Sequence, residues 1–122
     1  MSQTVITPQM VEIRLKELSK EIDEAHSELI EAESKYLSVK AQYEIAIAKS
    51  RLSLARRSAP SGKNYTVGER EDLAIIENEE MHLRMASAEA LVRGARANAQ
   101  RIRTQVDIAR SVGTSVRTSM DM

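Results

Sequence analysis

Cysteine, tryptophan and phenylalanine are absent from this chain of 122 residues, and three tyrosines are its only aromatics. Without cysteine there is no disulfide and no thiol nucleophile, and a cytoplasmic setting is permitted. Without Phe and Trp the chain lacks the large flat side chains that usually fill a thick layered core. Only two prolines and four glycines interrupt it. It has no run of about 18 apolar residues, so no membrane span is expected. Met1 to Ile6 lacks the charged-then-apolar plan of a signal peptide. Lys and Arg number 18 and Asp and Glu also 18, so no global excess of base invites nucleic acid. The absences together predict a soluble cytoplasmic protein of one domain, built from amphipathic helices.

What is present is regular. Residues 1–7 read as a flexible tail, and Thr7-Pro8 as a helix start: threonine accepts from a free first-turn amide, and proline at the first helical position loses nothing. From there, Val11, Leu15, Leu18, Ile22, Ala25, Leu29, Ala32, Tyr36, Val39, Tyr43 and Ala46 alternate steps of four and three. That spacing is a heptad seam. Around Ile45, Ile47, Leu52 and Leu54 the apolar face widens, which asks for more than one neighbouring helix. A helix over 8–58 is predicted.

Pro60 and Gly62 stop that helix, placing a turn over 59–66. Thr66-Val67-Gly68-Glu69 has the capping-box spacing, so a second helix begins at Val67. Its seam is Met81, Met85, Ala88, Val92, Ala95, Ala99, Ile102, Val106, Ala109, Gly113, Val116 and Met120. Gly94 sits among small residues, where it suggests a close helix contact. The segment after Gly113 is a poor helix former, and the second helix is expected over 67–118 with a frayed end.

Two arms of similar length about a central turn predict an all-α fold: a long antiparallel helical hairpin of coiled-coil type, spanning 8–122. Charge agrees. Residues 12–33 carry eight acids and three bases, and residues 35–63 seven bases and one acid. Residues 69–92 carry seven acids and two bases, and residues 93–117 six arginines and one acid. Folding about residue 63 lays each acidic block beside a basic one. The widened faces of a lone hairpin would stay wet, so a homo-oligomeric bundle or ring is expected.

Few motifs carry chemistry. Glu79-x-x-His82 and Asp23-x-x-His26 have di-metal spacing. The hairpin register puts His82 near Tyr43 and Glu44 and His26 near Gln100, more than about 20 Å apart at roughly 1.5 Å per residue. No metal or other cofactor is expected. Ser61-Gly62-Lys63 lacks the rest of a phosphate loop and a preceding strand. No catalytic constellation stands out, so the chain is not expected to be an enzyme. The apolar stripes are poor in large residues, which disfavours membrane-surface binding.

The strongest functional signal is basic. Lys49, Arg51, Arg56, Arg57 and Lys63 gather toward the turn, with Tyr65 close by. Bases neutralise phosphates, and tyrosine stacks on an unpaired nucleobase. The competing account is that Glu69, Glu71, Asp72 and Glu77 already neutralise those bases across the hairpin.

A long helix ending in Lys49-Ser50-Arg51-Leu52, a polar turn with glycine, a Thr66-Val67 start and a second long helix resemble the UvsY-type recombination mediators of T-even-type phages. The resemblance covers roughly residues 25–117. It implies a self-assembled helical ring that binds single-stranded DNA and helps load a recombinase onto strands covered by single-strand-binding protein. It also implies a phage origin, a bacterial host's cytoplasm as the setting, and DNA contact through Lys49 and Arg51. The other reading of the residues is a coiled-coil adaptor or scaffold that binds or inhibits a host protein, with no nucleic-acid role.

Overall fold

The computed structural model describes residues 5–121, and they are all-α. Residues 1–4 of the expected tail lie outside the described residues; residues 5–7 are non-helical. Helix α1 runs Pro8–Arg56, α2 Val67–Glu77 and α3 Glu79–Asp121. The start of α1 is as its sequence dictates. Thr7 Oγ1 accepts from the Met10 amide at 3.3 Å.

The chain divides into two compact units. One joins the residues up to Glu31 with those from Arg93 onward; the other is Ala32–Val92. Both α1 and α3 contribute to each unit.

In the first unit, Leu18, Ala25, Ala99 and Ile102 form the buried centre, with Ile22, Val106 and Ala109 packed against them. Val11, Leu18 and Ala25 are spaced by seven residues and all are buried, as one stripe of a heptad requires. The two helices run antiparallel here: Val11 meets Gly113, and His26 meets Arg103. A Cβ on Gly113 would lie 3.0 Å from Val11 Cγ1. Gly113 therefore marks where the Val11 side chain of α1 packs directly on the backbone of α3. It does not begin a frayed end, because α3 continues helical to Asp121.

Gly94 corrects the expectation of a tight contact. It is exposed, and a Cβ there would meet nothing within 4 Å. Among the described residues a side chain there has room, so the effect of the glycine is conformational. Gly94→Ala should raise stability by about 1 kcal/mol, seen as a higher midpoint in urea.

In the second unit, Ile47, Leu54 and Ala74 are buried, and Tyr43, Tyr65 and Leu73 pack on them. The buried stripe of α1 steps from Tyr43 to Ile47 and on to Leu54, leaving Ile45 and Leu52 exposed. Here too α1 and its partner segments run antiparallel, with Tyr43 at His82, Ser50 at Asn78 and Arg57 at Glu77.

The turn is a miniature hairpin. Gly62 N–H donates to Ala59 O and Ala59 N–H to Lys63 O, both at 2.8 Å. Ser58 and Asn64 form a β-bridge. Among the described residues only Gly62 has positive φ, at 82°. A turn led by Pro60 and closed by a left-handed glycine is the three-residue hairpin loop with a glycine bulge. Drawing Ser58 and Ala59 into this loop ends α1 at Arg56, two residues before the expected Ser58. Thr66 Oγ1 then accepts from the Glu69 amide at 3.2 Å, and Glu69 Oε1 accepts from the Thr66 amide at 3.1 Å. Both arms of the capping box are made, and α2 begins at Val67.

The second arm is not one helix, as the seam alone suggests. It breaks at Asn78. The Asn78 side-chain amide donates to Ala74 O and to Ser50 Oγ, both at 2.8 Å. It takes the carbonyl that the backbone amide of residue 78 would use in a regular helix. That backbone amide turns to Ile75 O at 3.1 Å instead. An asparagine competing for a carbonyl four residues back interrupts the ladder.

Candidate nucleic-acid interface

All six residues singled out for nucleic acid lie in the second unit, on the last turns of α1 and in the loop. Lys49, Arg51, Arg56 and Lys63 are exposed. None of these four makes an ion pair within 4.0 Å among the described residues. Arg57 differs. Its Nη2 donates to Glu77 Oε1 at 2.7 Å, joining the end of α1 to the end of α2. Both groups are well exposed, so the pair contributes at most about 1 kcal/mol. It nevertheless places a carboxylate where a phosphate would have to sit. Tyr65 is half-buried against the Ile47, Leu54 and Ala74 cluster. That packing anchors the loop to the core and limits how much ring remains for stacking.

The acids proposed as competitors act unequally. Glu77 holds Arg57. Glu69 is taken by the capping box, facing its own backbone. Glu71 and Asp72 reach no base among the described residues. Thus four of the five bases are exposed and outside any ion pair among the described residues.

Lys49 and Arg56 are seven residues apart and share one side of α1, whereas Arg51 lies on another side. Phosphates of one strand can therefore meet Lys49 and Arg56 together, with Arg51 approached from a different direction.

The histidines do other work. His82 Nδ1 lies 3.1 Å from the Tyr43 hydroxyl, with the rings tilted at 5.4 Å between centroids. This is within one residue of the hairpin register read from the sequence. His26 Nε2 accepts from the Arg103 guanidinium at 2.9 Å, three residues from the expected Gln100. A guanidinium on the imidazole lone pair is a poor setting for a cation, and among the described residues no three His, Asp or Glu converge as ligands. No described helix is long and apolar enough to cross a membrane.

No protein-family profile, curated protein or solved structure matches this chain.

Proposed function

We propose that the chain is a non-enzymatic DNA-recombination accessory protein. It acts as an antiparallel coiled-coil hairpin that self-assembles, binds single-stranded DNA and holds it for a recombinase and its single-strand-binding protein. The observation that carries this reading is the set of exposed bases Lys49, Arg51, Arg56 and Lys63, none engaged by a carboxylate among the described residues. The resemblance of Lys49-Ser50-Arg51-Leu52 and Thr66-Val67 to the UvsY-type mediators adds the recombinase, the single-strand-binding protein and the phage setting. One protomer supplies a modest patch. Assembly multiplies it, because linked sites bind one strand as a unit.

The test is fluorescence anisotropy with a labelled oligo-dT across a salt series. Four phosphate contacts on a single strand predict a slope of log K on log salt of about −3. Lys49→Ala with Arg51→Ala should roughly halve that slope. A double variant that binds with unchanged affinity and slope would remove these two residues from the interface.

The Arg57–Glu77 pair favours a second reading, since it shows an acid of the second arm satisfying a base of the first. On that reading the chain is a coiled-coil adaptor or scaffold for a host protein. Absence of any DNA binding at low salt would select it.

A further inference from the structure

We infer that the second unit is two-sided, and that copies of the chain join through two different faces: the outer stripe of α1 on one copy docks on the outer stripe of α2 and α3 on the next. This rests on the self-assembly in the reading above and specifies its interface.

The starting point is a mismatch between pattern and burial. On α1, Leu37, Ala41, Ile45, Ala48, Leu52 and Ala55 follow one another by steps of four, four, three, four and three. Those steps keep all six on one side of a helix. All six are exposed, Leu37, Ile45 and Leu52 at 61%, 57% and 62%. The side they share is turned away from Tyr43, Ile47 and Leu54, which make the internal contact. The chain thus carries a second seam that meets no partner among the described residues.

The other arm repeats the arrangement. Ala88 and Val92 are buried, while Leu83, Ala86 and Ala90 stand on the opposite side of α3 and are exposed. Ile76, seven residues before Leu83, is exposed at the end of α2. The α1 face thus offers large apolar residues separated by alanines, and the other arm offers Ile76 and Leu83 followed by the small Ala86 and Ala90, where a neighbouring helix can approach closely.

Charge chooses between like-with-like and unlike pairing. Lys40, Glu44 and Arg51 flank the α1 stripe on one side, and Lys49 and Arg56 on the other, four bases to one acid. Two such faces brought together would set base against base. The arm carrying the second stripe holds Glu69, Glu71, Asp72, Glu77, Glu79, Glu80 and Glu89 against Arg70 and Arg84. An α1 face fits an α2–α3 face in sign, and neither fits itself. Contacts between two unlike faces propagate: they close into a ring or extend as a filament, and they do not stop at a dimer.

The decisive experiment uses two interface variants of the full chain. Ile45→Asp with Leu52→Asp blocks the α1 face, and Leu83→Asp with Ala90→Asp blocks the α3 face; all four positions are exposed, so the internal cores keep their contacts. Light scattering after size exclusion should give an oligomer for the parent and 13.6 kDa for each variant alone. An equimolar mixture should give twice that mass and nothing larger, because only one good pair of faces remains. Helical circular dichroism equal to the parent's shows that both variants are folded. A parent that stays monomeric at every concentration overturns both the inference and the self-assembly behind it. A parent that assembles, with either variant assembling equally well, overturns the inference alone. Variants that are single chains both alone and when mixed also overturn it, since unlike faces must cap each other.

Discussion

Leu54→Ala should lower the stability of the protein by about 2–5 kcal/mol, the range for deleting most of a buried leucine and leaving a cavity. Leu54 is one of the two largest fully buried side chains, and it joins α1 to Ala74 of α2. Ala74 has no side chain to spare and cannot reach across the gap. Domains of this size are stable by about 5–15 kcal/mol in total, so the loss is a large share of what holds the second unit. Urea unfolding followed by circular dichroism measures it. Leu52→Ala, two residues earlier on the same helix, is the contrast. Leu52 is exposed within the chain, so its loss should leave the midpoint of dilute protein unchanged within about 0.5 kcal/mol. It should reduce only the rise of that midpoint with protein concentration, which reports association. Equal effects from the two leucines at high dilution would contradict the burial that separates them.

The second large effect is on DNA. Replacing Lys49, Arg51, Arg56 and Lys63 together by alanine should abolish measurable binding of oligo-dT and flatten the salt dependence to near zero. Four single-strand contacts correspond to roughly fifty-fold in affinity between about 50 and 200 mM salt, and removing them leaves only Arg57, which Glu77 already holds. Arg57→Ala should be the weakest of the single replacements, because its guanidinium already holds Glu77 at 2.7 Å. Glu77→Gln is the informative companion: releasing Arg57 should strengthen binding modestly. If the fourfold variant binds as the parent does, DNA contact lies elsewhere or does not occur.

The helices were legible because their signals are local. A capping box needs only four consecutive residues, and Thr66 to Glu69 supply them. The seams were legible because burial on a helix repeats in sequence: from Val11 to Ala46, and from Met81 to Val116, every seam position is buried or half-buried. The break at Asn78 was not legible. It depends on Ser50, far away in the chain, offering a hydroxyl to the same amide that displaces the backbone bond. The glycines were misread for a related reason. Gly94 and Gly113 look alike in sequence, yet only Gly113 has a neighbour, Val11, against its α-carbon. The basic cluster was visible as composition. Which base an acid would take was not, since Glu77 reaches Arg57 while Glu71 and Asp72, closer in sequence, reach no base among the described residues.

The asparagine that divides the second arm has a kinetic consequence. It isolates α2 as an eleven-residue helix, Val67–Glu77. A helix that short does not persist in water without tertiary support. Its persistence depends on the Ala74 contact, the Tyr65 anchor and the capping box. These are few enough to be lost together while α1 and α3 remain folded. The loop and α2 should therefore open as one cooperative segment, with amide hydrogens of residues 67–77 exchanging at a common rate faster than those around Leu18 and Ile102. In that opened form Glu77 leaves Arg57, so the fifth base would be uncovered by the same fluctuation that exposes the loop.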